Sequence, residues 1–211
     1  MRIEVWSDFV CPFCYIGKRR LEQALLSLPK DVKVELIYKS FELDPEASVH
    51  TGLTIEEKLA EKYGKSLSEV KDMTKHMEEQ ASETGLDFQF SRMVPTNTFN
   101  AHRIAKLADE YNLHEEINER LFKAIFTDGK NVGEINTLAE IASQAGLKAD
   151  MVQEAVTSNS FAEKVRADEN EAYDIGVQGV PFFVINRKYA ISGAQPPEIF
   201  ANSLQKVLDE E

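Results

Sequence analysis

Residues 2–14 read Arg2-Ile3-Glu4-Val5-Trp6-Ser7-Asp8-Phe9-Val10-Cys11-Pro12-Phe13-Cys14, a short apolar run leading into a tetrapeptide that holds both cysteines of the 211-residue chain. A helical pattern follows directly, with Leu21, Ala24, Leu25 and Leu28 at i, i+3, i+4 and i+7 before Pro29. A Cys-x-x-Cys pair between a strand and a helix is the arrangement of a redox-active dithiol. The first N–H groups of a helix lack intrahelical partners and carry partial positive charge, which eases ionisation of a sulfur placed there. Cys11 is therefore the candidate nucleophile. Cys14, one turn on, is placed to attack a mixed disulfide at Cys11 and is the candidate resolving thiol.

Other readings of the pair make demands that the rest of the sequence meets poorly. A structural zinc site wants four ligands, yet there is no third cysteine, and His50, His76, His102 and His114 show no paired ligand spacing. A permanent structural disulfide would close a very small loop, and no further cysteine suggests a disulfide framework.

Beyond the first helix, Val32, Val34, Leu36 and Tyr38 alternate with Lys33, Glu35 and Ile37, a second strand with one apolar lapse. Strand, helix and strand make a βαβ unit, whose crossover helix implies parallel pairing. From about 44 to 176 the strand signal almost vanishes. Thr54-Ile55-Glu56-Glu57 and Ser66-Leu67-Ser68-Glu69 are capped helix starts. Apolar faces recur through Phe99, Ile104, Leu107 and Ala108, then Ile117, Leu121 and Ile125, then Leu138, Ile141 and Ala142. A last long helix carries Phe161, Val165, Ala172 and Ile175 and should end at Gly176.

The tail returns to strands. Val180-Pro181-Phe182-Phe183-Val184-Ile185, a turn at Asn186-Arg187-Lys188, and Tyr189-Ala190-Ile191-Ser192 read as a hairpin, with a final helix from Pro197 to about Asp209. The predicted fold class is α/β: βαβ, helices, ββα. No Pro/Gly/Ser-rich linker separates the middle, so the expectation is one domain with a core at 1–43 and 177–211 and a helical insertion at about 44–176.

Composition narrows the partners. A hydrophobic fraction of 43% can support a substantial core. The net charge of −12 disfavours nucleic-acid backbones and anionic membranes, which reward lysine and arginine. The start Met1-Arg2-Ile3-Glu4-Val5 enters a strand pattern with no apolar leader, and no run of about 18 apolar residues occurs. The chain as written reads as cytoplasmic. A reducing compartment agrees, because it keeps exposed thiols reduced and leaves a dithiol as a reagent rather than a staple.

Four segments in order carry a resemblance. They are Ser7-Asp8 before Cys11-Pro12-Phe13-Cys14-Tyr15-Ile16-Gly17-Lys18-Arg19-Arg20-Leu21, then Asn97-Thr98-Phe99-Asn100-Ala101-His102-Arg103, then Gly176-Val177-Gln178-Gly179-Val180-Pro181-Phe182-Phe183-Val184, then Ser192-Gly193-Ala194-Gln195. With them the chain resembles the DsbA family of thioredoxin-fold thiol:disulfide oxidoreductases, and more closely its cytosolic FrnE-like branch. The resemblance implies a thioredoxin fold with a large all-helical insertion. It implies a cis Val180-Pro181 bond facing the dithiol, and substrate contacts at Pro12, Phe13, Val180 and Pro181. It implies no cofactor beyond the redox-active disulfide, with glutathione as a co-substrate, and protein or small-molecule thiols and disulfides as partners. Two departures stand out. Phe13 occupies the position where strongly oxidising DsbA proteins have histidine, so one source of thiolate stabilisation is absent. The second cysteine pair of some FrnE-like proteins is also missing.

Several residues near these motifs have a plainer reading. Lys18, Arg19 and Arg20 could support the thiolate, yet a solvated helix face explains them as well, since the effect decays along the helix and is screened by salt. His102 could shuttle protons, although a lone histidine is more often a structural hydrogen-bonding residue. Tyr15, Trp6, Phe9 and Phe13 could wall a peptide groove or belong to the core. Two other functions remain open beside dithiol–disulfide exchange. One is a glutathione-dependent transferase or isomerase, of the kappa class or the 2-hydroxychromene-2-carboxylate isomerase type, relatives that generally lack the intact cysteine pair. The other is a non-catalytic peptide-binding chaperone.

Overall fold

A computed structural model describes residues 1–210. Two compact units are present, one formed by residues 1–43 with the segment from Arg166 onward, the other by Asp44–Val165.

The first unit is built on a four-stranded sheet of order β2-β1-β3-β4. Strand β1 (Arg2–Ser7) leads through the dithiol turn into helix α1 (Pro12–Leu25), and β2 (Glu35–Ser40) returns beside β1 in parallel, from Arg2 opposite Glu35 to Ser7 opposite Ser40. β2 starts three residues later than the alternation at Val32 suggests. A strand is only as long as its partner's ladder, and β1 begins at Arg2. Helix α1 likewise stops at Leu25, short of Leu28. The Ser27 hydroxyl donates to the Ala24 carbonyl at 2.6 Å, and Leu28 packs on the core from the turn that follows.

On the other side of β1, β3 (Phe182–Ile185) runs antiparallel and continues through a tight turn into β4 (Tyr189–Ser192). β1 is buried on both faces from Ile3 to Ser7, and its buried Glu4 is paired with Arg2 and Arg187. Ile3 and Val5 face one way and meet Leu21 and Ala24 of α1, Phe183 and Ile185 of β3, and Phe200, Leu204 and Val207 of the last helix, α9 (Pro197–Asp209). Trp6 faces the other way, into a cluster with Ala172, Val177 and Val184.

Ala172 belongs to α8 (Ala162–Asp174), and here the sheet-bearing unit is larger than expected. It takes in the chain from Arg166 rather than from 177. The reason is a set of polar contacts spaced one turn apart along the helix. The Trp6 indole N–H donates to the Asp168 carbonyl at 2.9 Å, and the Ser40 amide donates to the Asp168 carboxylate at 2.8 Å. Lys39 donates to Glu171 at 2.9 Å and lies 3.2 Å from Asp168, while Arg187 reaches Glu171 at 2.6 Å. Burial alone would push the Lys39 ammonium's pKa down. The Glu171 and Asp168 carboxylates more than reverse this and hold it above its ordinary value.

The second unit is helical: α2 (Ile55–Tyr63), α3 (Leu67–Ser82), α4 (Phe99–Asp109), α5 (His114–Phe126), α6 (Ile135–Gln144) and α7 (Ala149–Thr157), with a short 3₁₀ turn at Phe90–Arg92. Both expected capping boxes form, Thr54 with Glu57 and Ser66 with Glu69. Helix α7 buries Val152 and Ala155. Its C-terminus is held by the buried Arg103 of α4, whose guanidinium donates to the carbonyls of Ala155, Val156 and Ser160. Among the described residues, no helix is long and apolar enough to cross a membrane.

Candidate active site

The end of β1 and the start of α1 shape the dithiol. Cys11 is the N-cap of α1 with extended backbone (φ −90°, ψ 113°), and Pro12 occupies the first turn, where a missing N–H costs nothing. The Cys11 amide donates to the Asp8 carbonyl at 3.1 Å and the Cys14 amide to the Cys11 carbonyl at 3.0 Å, so the turn is closed by its own backbone. Both cysteines are free thiols, and both are buried.

Their surroundings differ. The Cys11 sulfur lies 3.5 Å from the Val180 carbonyl, to which its S–H donates. The Cys14 sulfur is enclosed: it accepts from the Asp8 amide at 3.5 Å, with Ser7 and Cys11 as its polar neighbours. Burial, reinforced by the hydrogen bond and the charge interaction with Cys11, pushes the Cys14 thiol's pKa well above its ordinary value, against the smaller opposing pull of Ser7 and Asp8. Cys14 is thus held in its protonated form.

Val180 and Pro181 reach the dithiol from 169 residues away in the chain. The Val180–Pro181 peptide is cis. The Val180 side chain packs with the Trp6 cluster, and the Pro181 carbonyl accepts from the Gly193 amide at 2.8 Å, so the loop is fixed from both sides. Helix α1 comes against it at Gly17. A Cβ there would sit 3.1 Å from Pro181 Cγ and 3.2 Å from Phe183 Cζ, so a larger side chain would press on the loop that faces Cys11.

The remaining sequence candidates fall into place around this. Phe13 is exposed at 38%, whereas Trp6, Phe9 and Tyr15 are core residues at 3% or less. Pro12 is partly buried. The basic run is engaged locally: Lys18 pairs with Glu22, Arg19 pairs with Glu22 at 2.8 Å and covers the Tyr15 ring, and Arg20 donates to the Ala194 carbonyl. His102 is buried in α4 of the helical unit, while every group described above belongs to the sheet unit. Sequence reasoning assigned no role to Ser7, Asp8 or Gly17. The first two could have been suspected from their place between strand and dithiol; the third has no signal before the loop is seen beside it. Among the described residues, no three His, Cys, Asp or Glu side chains are grouped to hold a metal ion.

The family model for the DSBA-like thioredoxin domain matches residues 2–205. The chain belongs to the DSBA-like family. Its DSBA-like fold is also that of a probable DsbA oxidoreductase, SCO1869 of Streptomyces coelicolor, at 38% identity and TM-score 0.95, over 100% of this chain and 91% of that one. The uncharacterized protein YwbO of Bacillus subtilis strain 168 is 29% identical over 97% of this chain and 96% of its own. The cytosolic disulfide reductase DsbM of Pseudomonas aeruginosa shares the fold at 15% identity and TM-score 0.67, over 100% of both chains, and has a second structure with GSH. At the family level, then, this DSBA-like protein is a thiol:disulfide oxidoreductase.

Proposed function

We propose that the chain exchanges its dithiol with peptide or small-molecule disulfides, with Cys11 attacking and Cys14 resolving. The observation that carries this is the difference between the two sulfurs. Cys11 caps the helix beside the Val180 carbonyl, and Cys14 is enclosed and held protonated. In the reducing direction the Cys11 thiolate attacks a substrate R–S–S–R′, forming Cys11–S–S–R and expelling R′S⁻. Cys14 then attacks the Cys11 sulfur, closing the internal disulfide and expelling RS⁻. Two electrons pass from the dithiol to the substrate, and the two thiol protons end on the departing thiolates. Two glutathione thiols restore the dithiol and leave as one glutathione disulfide, with no other cofactor.

Substrate would meet Pro12, Phe13, Val180 and Pro181. The exposed Phe13 ring offers apolar contact, and the fixed Val180–Pro181 loop offers a backbone edge beside the sulfur. A chain with only this cysteine pair suits a reducing compartment, which supports a cytoplasmic setting.

Turnover of a fluorogenic peptide disulfide, driven by glutathione and glutathione reductase, tests the reading. The parent protein should accelerate turnover, and Cys11→Ser should lower the rate by about 100-fold or more, because the nucleophile is removed. No acceleration by the parent protein would favour a non-catalytic chaperone. Full activity in Cys14→Ser would show glutathione, not Cys14, releasing the substrate from Cys11, which favours a glutathione-dependent enzyme that uses one cysteine.

A further inference from the structure

Gly17 is buried inside α1 and has helical backbone, not the left-handed conformation that calls for glycine. A glycine in a helix interior costs stability relative to alanine, so helix propensity argues for alanine here. The surroundings argue against it. A Cβ would lie 3.1 Å from Pro181 Cγ, 3.2 Å from Phe183 Cζ and 3.5 Å from Ala194 Cβ. Each of these neighbours is held in place. The Pro181 carbonyl accepts from the Gly193 amide at 2.8 Å, the buried Phe183 ring packs edge to face on Phe200, and the Ala194 carbonyl accepts from the Arg20 guanidinium. Gly17 is therefore a point at which the helix carrying both sulfurs bears on the loop carrying the Val180 carbonyl. Beyond that contact, the Cys11 sulfur lies 3.5 Å from the Val180 oxygen.

We propose that Gly17 is a positioning residue: by lacking a side chain it seats α1 against the Pro181 loop and sets the gap between the Cys11 sulfur and the Val180 carbonyl, and with it the redox poise of the dithiol and its preference for peptide disulfides. This rests on the exchange reading above. The poise follows from one proton. In the dithiol the Cys11 S–H donates to the Val180 carbonyl; the disulfide has no S–H, so the contact favours the reduced form alone. When two glutathione thiols reduce the Cys11–Cys14 bond, they pass it two electrons and two protons and join as one glutathione disulfide, and the new Cys11 S–H regains its acceptor. The preference follows from the backbone. A peptide paired with the edge of the loop is held there while its disulfide meets Cys11, so loop and sulfur must keep their register, whereas a small disulfide without a peptide backbone makes no such demand. A methyl group added at Gly17 presses the two sides apart. The displacement reaches the gap because Cys11 caps the same helix as Gly17 and Pro181 adjoins Val180.

The test compares the parent, Gly17→Ala, and Gly17→Ala combined with Phe183→Leu, in glutathione redox buffers and in turnover of a peptide disulfide and of hydroxyethyl disulfide. Gly17→Ala should move the equilibrium about threefold toward the Cys11–Cys14 disulfide, about 14 mV more reducing at about 30 mV per tenfold change. Its kcat/KM on the peptide disulfide should fall about tenfold or more, with hydroxyethyl disulfide staying within about threefold of the parent. Phe183→Leu withdraws the ring tip from beside residue 17 and roughly conserves the volume of the junction, so the double variant should return to within about threefold of the parent on the peptide. A merely structural role would weaken folding without moving the potential. A potential equal to the parent's or less reducing, equal slowing on both disulfides, no recovery in the double variant, or a Gly17→Ala chain that Trp6 fluorescence shows to be unfolded overturns the positioning role and leaves the exchange reading intact. A parent protein that never closes the Cys11–Cys14 disulfide overturns the exchange reading itself.

Discussion

Cys14→Ser protein, incubated reduced with disulfide substrates, should accumulate mixed disulfides at Cys11, while Cys11→Ser should accumulate few or none. Once Cys11 has attacked, only a neighbouring thiol can release the bound substrate quickly, and Cys14, within hydrogen-bonding reach of the Cys11 sulfur, is that thiol. Serine keeps the size of the side chain but cannot resolve. In the converse variant the remaining sulfur is enclosed by Ser7, Asp8 and the start of α1, and burial keeps it protonated. A non-reducing gel followed by mass spectrometry of the adducts should show trapping at least about tenfold greater for Cys14→Ser. Equal trapping by the two variants would reverse or erase the assigned order of attack.

Phe200→Ala should cause the largest loss of stability, about 3–5 kcal/mol. The Phe200 ring is wholly buried and meets the Phe183 ring edge to face at 4.8 Å, so truncation leaves a cavity between α9 and the sheet that neither rigid element can close. Phe183 stands two residues after Pro181, and its ring tip also lies beside Gly17, so the same packing supports the loop over Cys11. The single tryptophan, Trp6, is buried in the same unit and reports its unfolding. Its fluorescence in urea should show the transition midpoint move sharply down, with little change in slope. A loss below about 1 kcal/mol would mean that this contact is not a main support of the sheet unit.

Much of this architecture was legible because its signals are local. The dithiol marks a strand-to-helix junction, the two capping boxes mark helix starts, and the tail hairpin carries its own turn. The elements that were misjudged depend on distant partners. Val32 and Val34 alternate like strand residues, but the ladder with β1 begins only at Glu35. Residues 166–174 read as the end of a helical insertion, yet Asp168 and Glu171 are bound to Ser40 and Lys39 on β2. The end of helix α7 is held by an arginine about fifty residues earlier, a contact that no periodicity within 149–157 can reveal.

The same division holds at the site. Cys11 and Cys14 declare themselves by spacing, and the place of Val180 and Pro181 followed from family resemblance rather than from any local pattern. Ser7 and Asp8 lie in plain sight beside the dithiol. The Asp8 amide's hydrogen bond to Cys14 exists because the turn from β1 into α1 closes on its own backbone, a relation that only the folded chain displays.

The central claim is that Cys11 and Cys14 form one reversible two-electron couple. Its most direct test is equilibration of the parent protein with glutathione buffers of graded redox ratio, followed by acid quench and mass spectrometry of the fragment carrying both cysteines. The account predicts loss of two hydrogens, about 2 Da, as the buffer becomes oxidising, and full recovery as it becomes reducing, with a single midpoint. A fragment that stays a dithiol throughout, or that gathers stable glutathione adducts at Cys11 without closing onto Cys14, would contradict it.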